Sequence, residues 1–387
     1  MYYSSTIFGQ ILGFIPKSRL KSLVGQHGSD RYVKKMTVWN QLVILLYAQA
    51  TGKESLREIE TGFFMNPNVW SHLGINTVAK SSVARANNKR SSKLFEKLFY
   101  DLLFEFKDIT PERTFTFDNP LYSLDATVIN ICLSLCNWAK YRHTKGAIKI
   151  HTLLNNRTNI PEVLNITEGR IADIAAGKKI KMDIPQGSIL VFDRGYVDLK
   201  WWRKLDSDGF FFVTRPRKSL LLIVSGQHSN PKGVILKDEV VWVGDILKAD
   251  YPKEMRRVGY LNENGEVYEY ITNNFKLSGE EIAKIYKERW RIENFFKWIK
   301  QNLKIKSFLG TSENAVMSQI WTAMIYYLIL SYIKFQTRFD RPLLELTRMV
   351  KETLFTRRSI IDLLSLRPTT VSKIIEPDVA QLRLLEV

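Results

Sequence analysis

The chain has 387 residues, 45% of them hydrophobic and 25% charged, and its 57 Lys and Arg against 39 Asp and Glu give a formal net charge of +18. These fractions are typical of a globular protein and exclude a chain that is disordered throughout. The excess of positive charge favours a polyanionic partner, although a soluble basic protein without such a partner has the same balance. Two cysteines, Cys132 and Cys136, are too few for a disulfide scaffold or a four-ligand zinc site and indicate a reducing compartment.

The first 112 residues predict a helical region. MTVWNQLVILLYAQATG is an apolar helical run that ends at Gly52, and KESLREIETGFF predicts a second, shorter helix. Ser92 is the expected N-cap of the amphipathic helix that follows. A group of cations clusters at the entrance to that helix: Arg85, Lys89, Arg90 and Lys93. We interpret this group as a helix-turn-helix-like DNA reader, and the alternative is a solvated charged face.

Two segments bear on membrane targeting. The first twenty residues lack the charged start and the small-residue cleavage site of a secretory signal. Residues 314–333 carry no charge over a length that could span a bilayer. Their Ser, Thr, Gln and Tyr residues make this segment too polar for a confident bilayer assignment, so the pattern favours a buried core helix.

From about residue 113 the hydrophobic period changes to two. TFTFDNPLYSLDATVINICLSL, KGAIKIHTLLN and SILVF predict strands, whereas GRIADIAAGKKIKM fits either a helix or a further strand. Residues 200–272 indicate short strands with turns and no helix, and the helical pattern returns after Ser278. The chain therefore predicts an α/β unit interrupted by an all-β insertion, with helices at both ends.

One predicted helix carries an unusual polar stripe. Ser278 and Glu281 have the spacing of a capping box, which predicts that a helix begins there. In one continuous helix the following residues share a stripe beside an apolar flank: Tyr286, Arg289, Glu293, Lys297 and Lys300. The stripe alone fits a surface ladder of ion pairs, from Arg289 to Glu293 and from Glu293 to Lys297, equally well.

Two other carboxylates favour a catalytic interpretation. Asp125 lies inside the apolar strand LYSLDATV, and Asp193 ends the apolar strand SILVF before a glycine turn. A carboxylate in such a position is costly unless it is paired or binds a metal, although a strand-end Asp is more commonly a turn or cap residue. Two Asp and a helical Glu among cations fit phosphodiester chemistry by two metal ions, which carboxylates hold about 3.5 to 4 Å apart. The cations would hold the phosphates.

The same residues resemble a known signature. Tyr286, Arg289, Glu293 and Lys300 match the Y-R-E-K spacing of bacterial insertion-sequence transposases of the fourth family, within the DDE superfamily. Asp125 in its D-A-T context and Asp193 in DRGY resemble the first and second catalytic aspartates of that family. The resemblance extends from about residue 90 to 335, through KGAIKIH and ITNN, and QILGFIPKSRL is similar to a common leader domain of the group.

The resemblance implies an RNase H-like fold, a mixed sheet flanked by helices with an all-β insertion domain and helical N- and C-terminal regions. Asp125, Asp193 and Glu293 would be its catalytic residues and metal ligands. The implied regions are a DNA-binding region at 1–112, the first part of the catalytic core at 113–198, the insertion at 199–271, the second part of the core at 272–340 and a C-terminal helical region at 341–387.

The function implied by the resemblance is that of a DNA transposase that cuts insertion-sequence ends and joins them to target DNA through a hairpin intermediate. Mg²⁺ is the expected cofactor, since carboxylate oxygens suit it, and Mn²⁺ should substitute. The expected partners are the terminal inverted repeats, target DNA and a second copy of the chain, in the bacterial cytoplasm at the nucleoid and away from any membrane. A nuclease of the same fold and a non-catalytic DNA-binding derivative are the alternatives.

The resemblance also implies contacts to DNA. Phosphate contacts are expected from Tyr286, Arg289, Lys297, Lys300 and Arg194. Tyr268 is the expected ring on which a flipped base stacks, with Trp242 and Tyr270 as the other aromatic candidates of the insertion. The alternative is that Tyr268 and Tyr270 merely face opposite sides of a strand. His143 and His151 are expected to be structural or phosphate-contacting residues rather than metal ligands.

Overall fold

The computed structural model describes residues 5–75, 78–106, 114–131, 138–142, 145–244, 250–302 and 309–365. The chain divides into two compact units, a helical unit made of Met1–Phe106 with Met317–Val387 and a sheet unit made of Lys107–Val316.

The helical unit is built from short helices of the N-terminal region and three helices of the C-terminal region, the first of which begins in the other unit. They are α1 (Ile7–Gly13), α2 (Lys17–His27), α3 (Val38–Thr51), α4 (Leu56–Phe64), α5 (Pro67–His72), α6 (Lys80–Lys89), α7 (Lys93–Glu105), α12 (Glu313–Gln336), α13 (Leu343–Thr353) and α14 (Ile360–Ser365).

Two residues that the sequence analysis placed at helix ends, Gly52 and Ser92, can be compared with the structure. Gly52 ends α3 with a φ of +70°, a left-handed conformation that glycine adopts without strain, and α4 follows it as predicted. Ser92 is at the N-cap position of α7, as predicted, but its side chain makes no capping hydrogen bond to this helix. Its backbone is already helical, with a φ of −62°, whereas a capping side chain needs an extended backbone to reach the next amides.

Helix α12 is the core helix that its polar residues predicted. By length and composition it is the one helix of the described ranges that could cross a membrane, but 83% of its most apolar window is buried. Within the helical unit, Tyr332 stacks on Phe106 with ring centroids 4.2 Å apart, and Trp321 packs on Phe99 at 5.6 Å. Burial in protein explains the apolar length of this helix.

The sheet unit contains ten described strands and four α-helices. The strands are β1 (Leu121–Ile131), β2 (Lys140–Arg142), β3 (Lys145–Asn155), β4 (Ile160–Glu168), β5 (Ile189–Phe192), β6 (Phe211–Thr214), β7 (Leu222–Gln227), β8 (Ile235–Val243), β9 (Met255–Leu261) and β10 (Val267–Thr272). The helices are α8 (Asp173–Gly177), α9 (Leu199–Ser207), α10 (Gly279–Lys287) and α11 (Trp290–Asn302).

The sheet is mixed and runs in the order β2-β3-β1-β5-β6-β10-β9-β8-β7, with β4 on β3. β1 pairs antiparallel with β3, whereas β1 with β5 and β5 with β6 are parallel. Apolar side chains of α8 and α9 cover one face, and those of α10 cover the other. This helix-flanked mixed sheet is the RNase H-like fold that the sequence predicted.

The region 200–272 differs from its prediction in one element. Helix α9 lies where only strands were expected, and Trp201, Trp202 and Leu205 are buried on one of its faces. Asp198 caps the helix by accepting a hydrogen bond of 2.9 Å from the amide of Trp201. The following strand, β6, pairs with both β5 and β10, so the sheet continues without a break into the strands assigned to the insertion. The five-part division of the chain stays a prediction.

The segment with the polar stripe forms two helices instead of one. The capping box is confirmed, because Ser278 accepts from the amide of Glu281 and the Glu281 side chain accepts from the amide of Ser278. α10 then ends at Lys287, and α11 begins at Trp290. Asn156 is buried and donates a hydrogen bond of 2.9 Å to the carbonyl of Glu288, which fixes the break between the two helices.

Candidate active site

The strand register places Asp125 and Asp193 side by side. Leu124 on β1 pairs with Phe192 on β5 in the parallel ladder, and the two aspartates are the next residues of each strand. Neighbouring strands lie about 4.8 Å apart. Leu124 and Phe192 belong to the core beneath α8 and α9, so the alternation of side chains turns both aspartates to the opposite face, which α10 covers.

Asp125 is largely buried, with 20% of its side chain exposed. Its carboxylate accepts a hydrogen bond of 2.7 Å from the amide of Ala126. The pKa of Asp125 is raised to about 7, chiefly by burial and in part by the negative charge of Asp193, while the Ala126 amide and Arg289 oppose the rise. A cation bound between Asp125 and its neighbouring carboxylate would stabilise the ionised form of Asp125.

Asp193 both begins a turn and belongs to the site. It is the N-cap of a 3₁₀ turn at Arg194–Tyr196, and its carboxylate accepts a hydrogen bond of 2.8 Å from the amide of Gly195. A Cβ at residue 195 would lie 2.8 Å from the same carboxylate oxygen, so a side chain here would displace the Asp193 carboxylate. The cap interpretation and the catalytic interpretation of this residue are therefore compatible.

Arg217, which the sequence analysis missed, holds the turn after Asp193. Its Nε donates to the carbonyl of Arg194 at 2.8 Å, and its Nη2 donates to the carbonyl of Gly195 at 3.1 Å. Thr214 adds a bond of 3.3 Å to the carbonyl of Asp193. Its position just after β6 could have revealed it. Because β5 and β6 are parallel, their carboxyl ends meet at one edge of the sheet, where Asp193 also lies.

Arg289 connects the helical carboxylate to the sheet. Its Nη2 lies 2.8 Å from the Glu293 carboxylate, and its Nη1 lies 3.3 Å from the Asp125 carboxylate. The pair with Glu293 is the first step of the predicted ladder, but the guanidinium also reaches into the sheet. Among the described residues, no ion pair joins Glu293 to Lys297. The stripe is thus more than a surface ladder, because its largely buried Arg289 reaches a strand of the sheet.

The ring of Tyr286 lies between two neighbours, Tyr270 and the same Arg289 guanidinium. Its ring packs on Tyr270 with centroids 4.8 Å apart, and the Arg289 guanidinium lies 5.7 Å from the ring centre. Burial raises the pKa of the Tyr286 hydroxyl, with the nearby Arg289 opposing the rise. The phenol is therefore a neutral donor at physiological pH.

Three of the residues predicted to contact DNA are exposed cations on the elements that carry Glu293 and Asp193. The side chains of Lys297 and Lys300 lie on the solvent side of α11, and Arg194 is exposed on the turn after Asp193. All three are accessible to a polyanion, whereas Arg289 is enclosed by its carboxylate partners.

Tyr268 has partners of its own in the insertion. The guanidinium of Arg215 lies 4.6 Å from its ring centre, and its hydroxyl donates a hydrogen bond of 2.6 Å to Glu266. The alternative of opposite faces was wrong, because residues two apart in a strand share a face and both tyrosines pack toward one core cluster. Tyr270 is buried there, and Tyr268 is half-buried.

His151 is structural. Its ring is fully buried and shares a hydrogen bond of 3.0 Å with Thr167. Burial lowers the pKa of His151 to about 4, so the ring is neutral at physiological pH, and its full burial shields it from solvent. His143 lies outside the described residues.

The donor set suits a divalent cation in part. Among the described residues no group of three His, Cys, Asp or Glu side chains is placed to hold one ion. Asp125 and Asp193 nevertheless supply hard carboxylate oxygens on neighbouring strands, which is the chemistry that Mg²⁺ and Mn²⁺ prefer. Glu293 carries a third carboxylate, and the Arg289 guanidinium contacts both Glu293 and Asp125.

Comparison with known proteins identifies the family. The profile described as "Transposase DDE domain" matches residues 116–329, which is more than half of the chain and includes all three carboxylates. The chain belongs to the DDE transposase family. A DDE transposase depends on divalent cations for its chemistry, in agreement with the carboxylates found here. Residues 3–76 of this transposase match a second family, a domain of unknown function named DUF4372.

Several curated relatives are transposases by name. The chain is 34% identical over 242 residues to a protein of Sinorhizobium fredii named as the transposase y4zB, covering 61% of this chain and 67% of the relative. It is 28% identical to the transposase of insertion sequence element IS5377 from Geobacillus stearothermophilus, over 58% of this chain and 60% of the relative. It is 26% identical to the transposase of element IS4SA from Synechocystis, over 66% of this chain and 72% of the relative.

Among solved structures, this DDE transposase is distantly similar to the piggyBac transposase in a synaptic complex with hairpin DNA. The identity is 9% and the TM-score 0.43, over 98% of this chain and 82% of that chain.

Proposed function

We propose that this DDE transposase cleaves the ends of its insertion sequence and joins them to target DNA, with Asp125, Asp193 and Glu293 as the ligands of divalent ions. The observation that carries the proposal is the position of Arg289, whose guanidinium contacts Asp125 and Glu293 while the strand register sets Asp193 beside Asp125. In this proposal the contacts of Arg289 bring the carboxylate of helix α11 toward the two aspartates of the sheet.

The cofactor in this proposal is Mg²⁺, with Mn²⁺ able to replace it, because all three donors are carboxylates. Held by these residues, the ions would activate water or a DNA 3′-hydroxyl and stabilise the charge on the leaving oxygen.

The chain's own residues bind and orient the DNA. A phosphate offers an arginine the same two-oxygen geometry as a carboxylate, so Arg289 can exchange its bond to Glu293 for one to the scissile phosphate. Tyr286 donates a hydrogen bond beside it. Lys297, Lys300 and Arg194 are exposed and hold flanking phosphates on either side of the centre.

The proposed route passes through a hairpin at the cleaved end, with a flipped base stacked on Tyr268. Its ring is half-buried, and the Arg215 guanidinium that lies 4.6 Å from the ring centre would give way to the base. Stacking on such a ring would offset part of the few kcal/mol that unstacking a base costs.

The proposed partners are the terminal inverted repeats and target DNA. Because two ends must be held together before joining, the active species is proposed to be a homodimer assembled on DNA at the bacterial nucleoid in the cytoplasm.

The test is incubation of the purified chain with Mg²⁺ and two DNAs, one carrying the terminal repeats of its own element and one serving as target. The expected product is a covalent joint between the repeat end and the target. Controls are a chelator in place of Mg²⁺ and a substrate with scrambled repeats. Cleavage without joining would instead identify a nuclease, and binding without cleavage would identify a non-catalytic DNA-binding protein.

A further inference from the structure

A basic cleft lies in the helical unit, between the loop after α2 and helix α6. Its volume is about 600 Å³, and five cations line it: Lys34, Lys35, Arg85, Lys89 and Arg90. Among the described residues that line this cleft there is no carboxylate. A concave surface lined by one sign of charge concentrates the opposite charge.

Arg90 has a structural role in this cleft. Its guanidinium donates to the carbonyls of Ser29, Met36 and Thr37 and to the carboxylate of Asp30. The Arg90 side chain therefore holds both ends of the loop 29–37 against the C-terminal end of α6. Only 10% of the Arg90 side chain is exposed, so it shapes the cleft rather than serving as a free DNA contact.

The other four cations are free to bind a ligand. Lys34, Lys35, Arg85 and Lys89 are all exposed, and within the described ranges none of them forms an ion pair. Arg85 and Lys89 are four residues apart on α6, so they project from one face of the helix. The closed loop sets Lys34 and Lys35 on the other wall of the cleft.

The tip of the same loop is strained and exposed. Tyr32 has a φ of +60°, which a residue with a large side chain rarely adopts, and 89% of its surface is exposed. The Arg31 guanidinium lies 5.1 Å from its ring centre. A fixed loop that holds an aromatic ring and a cation in solvent, beside four unpaired cations, is suited to a partner outside the chain.

We infer that the basic cleft is a binding site for the phosphate backbone of duplex DNA, with Lys34, Lys35, Arg85 and Lys89 as its phosphate contacts and Tyr32 at its rim. The inference rests on the proposed function for the nature of the partner, and it assigns a role to a loop within the region that matches DUF4372. Because the contacts are point charges, the cleft supplies affinity rather than sequence discrimination.

The test uses the full-length chain in the presence of a chelator, so that binding is measured without cleavage. Fluorescence anisotropy gives the affinity for a short duplex as a function of salt. The variant combines Lys34→Gln, Lys35→Gln, Arg85→Gln and Lys89→Gln. Its affinity should fall about 100-fold, and the slope of log affinity against log salt should become less steep by about 3 to 4, since each phosphate contact contributes about 0.9.

The matched control removes the same charge from exposed cations elsewhere in the helical unit, as Lys21→Gln, Arg57→Gln, Lys97→Gln and Lys351→Gln. Its affinity should stay within about threefold of wild type. Equal losses in the two variants, an unchanged affinity of the cleft variant, or equally tight cleft-dependent binding of duplex RNA would overturn the inference. If the fourfold variant unfolds, the pair Lys34→Gln and Arg85→Gln replaces it, with an expected loss of about tenfold.

Failure of the inference is separable from failure of the proposed function. If the wild type joins ends but the cleft variant binds DNA as tightly as wild type, the inference alone fails. If the cleft is needed for binding but no end is ever cleaved, the proposed function fails and the cleft assignment stands.

Discussion

Arg289 and Asp125 are 164 positions apart in the chain, and the Arg289 guanidinium donates a hydrogen bond of 3.3 Å to the Asp125 carboxylate. The contact crosses from the start of a helix to the middle of a strand. It places a permanent cation beside a carboxyl whose pKa burial raises to about 7, and it sets the residue that precedes α11 against strand β1. Predictions for both residues follow from this contact.

The first prediction concerns Asp125 and pH. Because its pKa in the folded chain is about 7 against an ordinary value of 3.8, the folded chain binds a proton that the unfolded chain has released between these pH values. Without divalent ions, the free energy of unfolding should therefore fall as pH rises from about 4 to about 7. Asp125→Asn should remove this loss and be more stable than wild type at about pH 8, by on the order of 2 kcal/mol.

Urea unfolding at about pH 5 and about pH 8 measures this difference. Asp183→Asn is the control, since Asp183 is an exposed carboxylate of the same unit. A wild type whose stability rises with pH over this window would contradict the assignment.

The second prediction concerns Arg289. Arg289→Gln removes the cation from Asp125 and Glu293, and cleavage should fall about 100-fold because the charge that develops on the phosphate loses a fixed donor. DNA affinity should change by less than about threefold, since one cation among many contributes little to it. Arg291→Gln, which instead breaks a pair with Glu288 between α10 and α11, is the control and should retain most of the cleavage rate. Parallel losses of binding and cleavage in Arg289→Gln would assign this residue to affinity alone.

The third prediction concerns Arg217. Its two hydrogen bonds hold the carbonyls of the turn after Asp193, so Arg217→Gln should allow the Asp193 carboxylate to shift. Misplacement of a reacting group by about 1 Å can cost 100-fold, and we expect a loss of about tenfold in cleavage with a higher Mg²⁺ requirement. Lys218→Gln, at an exposed neighbouring position, should cleave as wild type does. An unchanged Mg²⁺ dependence in Arg217→Gln would argue against a positioning role.

The fourth prediction concerns Tyr268. Tyr268→Ala removes the ring beneath Arg215 and should reduce hairpin formation selectively, with the initial nicking step preserved. Tyr268→Phe keeps the ring and loses only the bond to Glu266, so it should form hairpins at near the wild-type rate. Both steps are measured on intact and pre-nicked ends. Equal loss of nicking and hairpin formation in Tyr268→Ala would mean that the ring is structural.

The carboxylates of the site and Arg289 could be predicted from sequence because each lies in a recognisable local pattern, whereas Arg217 was missed. Asp125 lies within an apolar strand, and Asp193 directly follows one. The capping box of Ser278 and Glu281 predicts the start of the helix that precedes Arg289 and Glu293. Helix ends marked by glycine, such as Gly52, were predictable for the same reason.

Features that depend on distant contacts could not be predicted. The break between α10 and α11 has no Gly or Pro to mark it, and a hydrogen bond from Asn156 fixes it. Helix α9 was not predicted in the region 200–272, because only the burial of Trp201 and Trp202 reveals its helical face. Arg90 was assigned to DNA, but its partners lie in a loop more than fifty residues earlier.

The most direct test of the account is the comparison of cleavage with DNA binding in the variants Asp125→Asn, Asp193→Asn and Glu293→Gln. Each should lose cleavage by at least about 1000-fold with Mg²⁺, because a metal ligand acts on the reaction. Each should bind a repeat-end duplex within about threefold of wild type, because basic side chains supply the affinity. Near wild-type cleavage by any one of the three would remove that residue from the catalytic set and contradict the account.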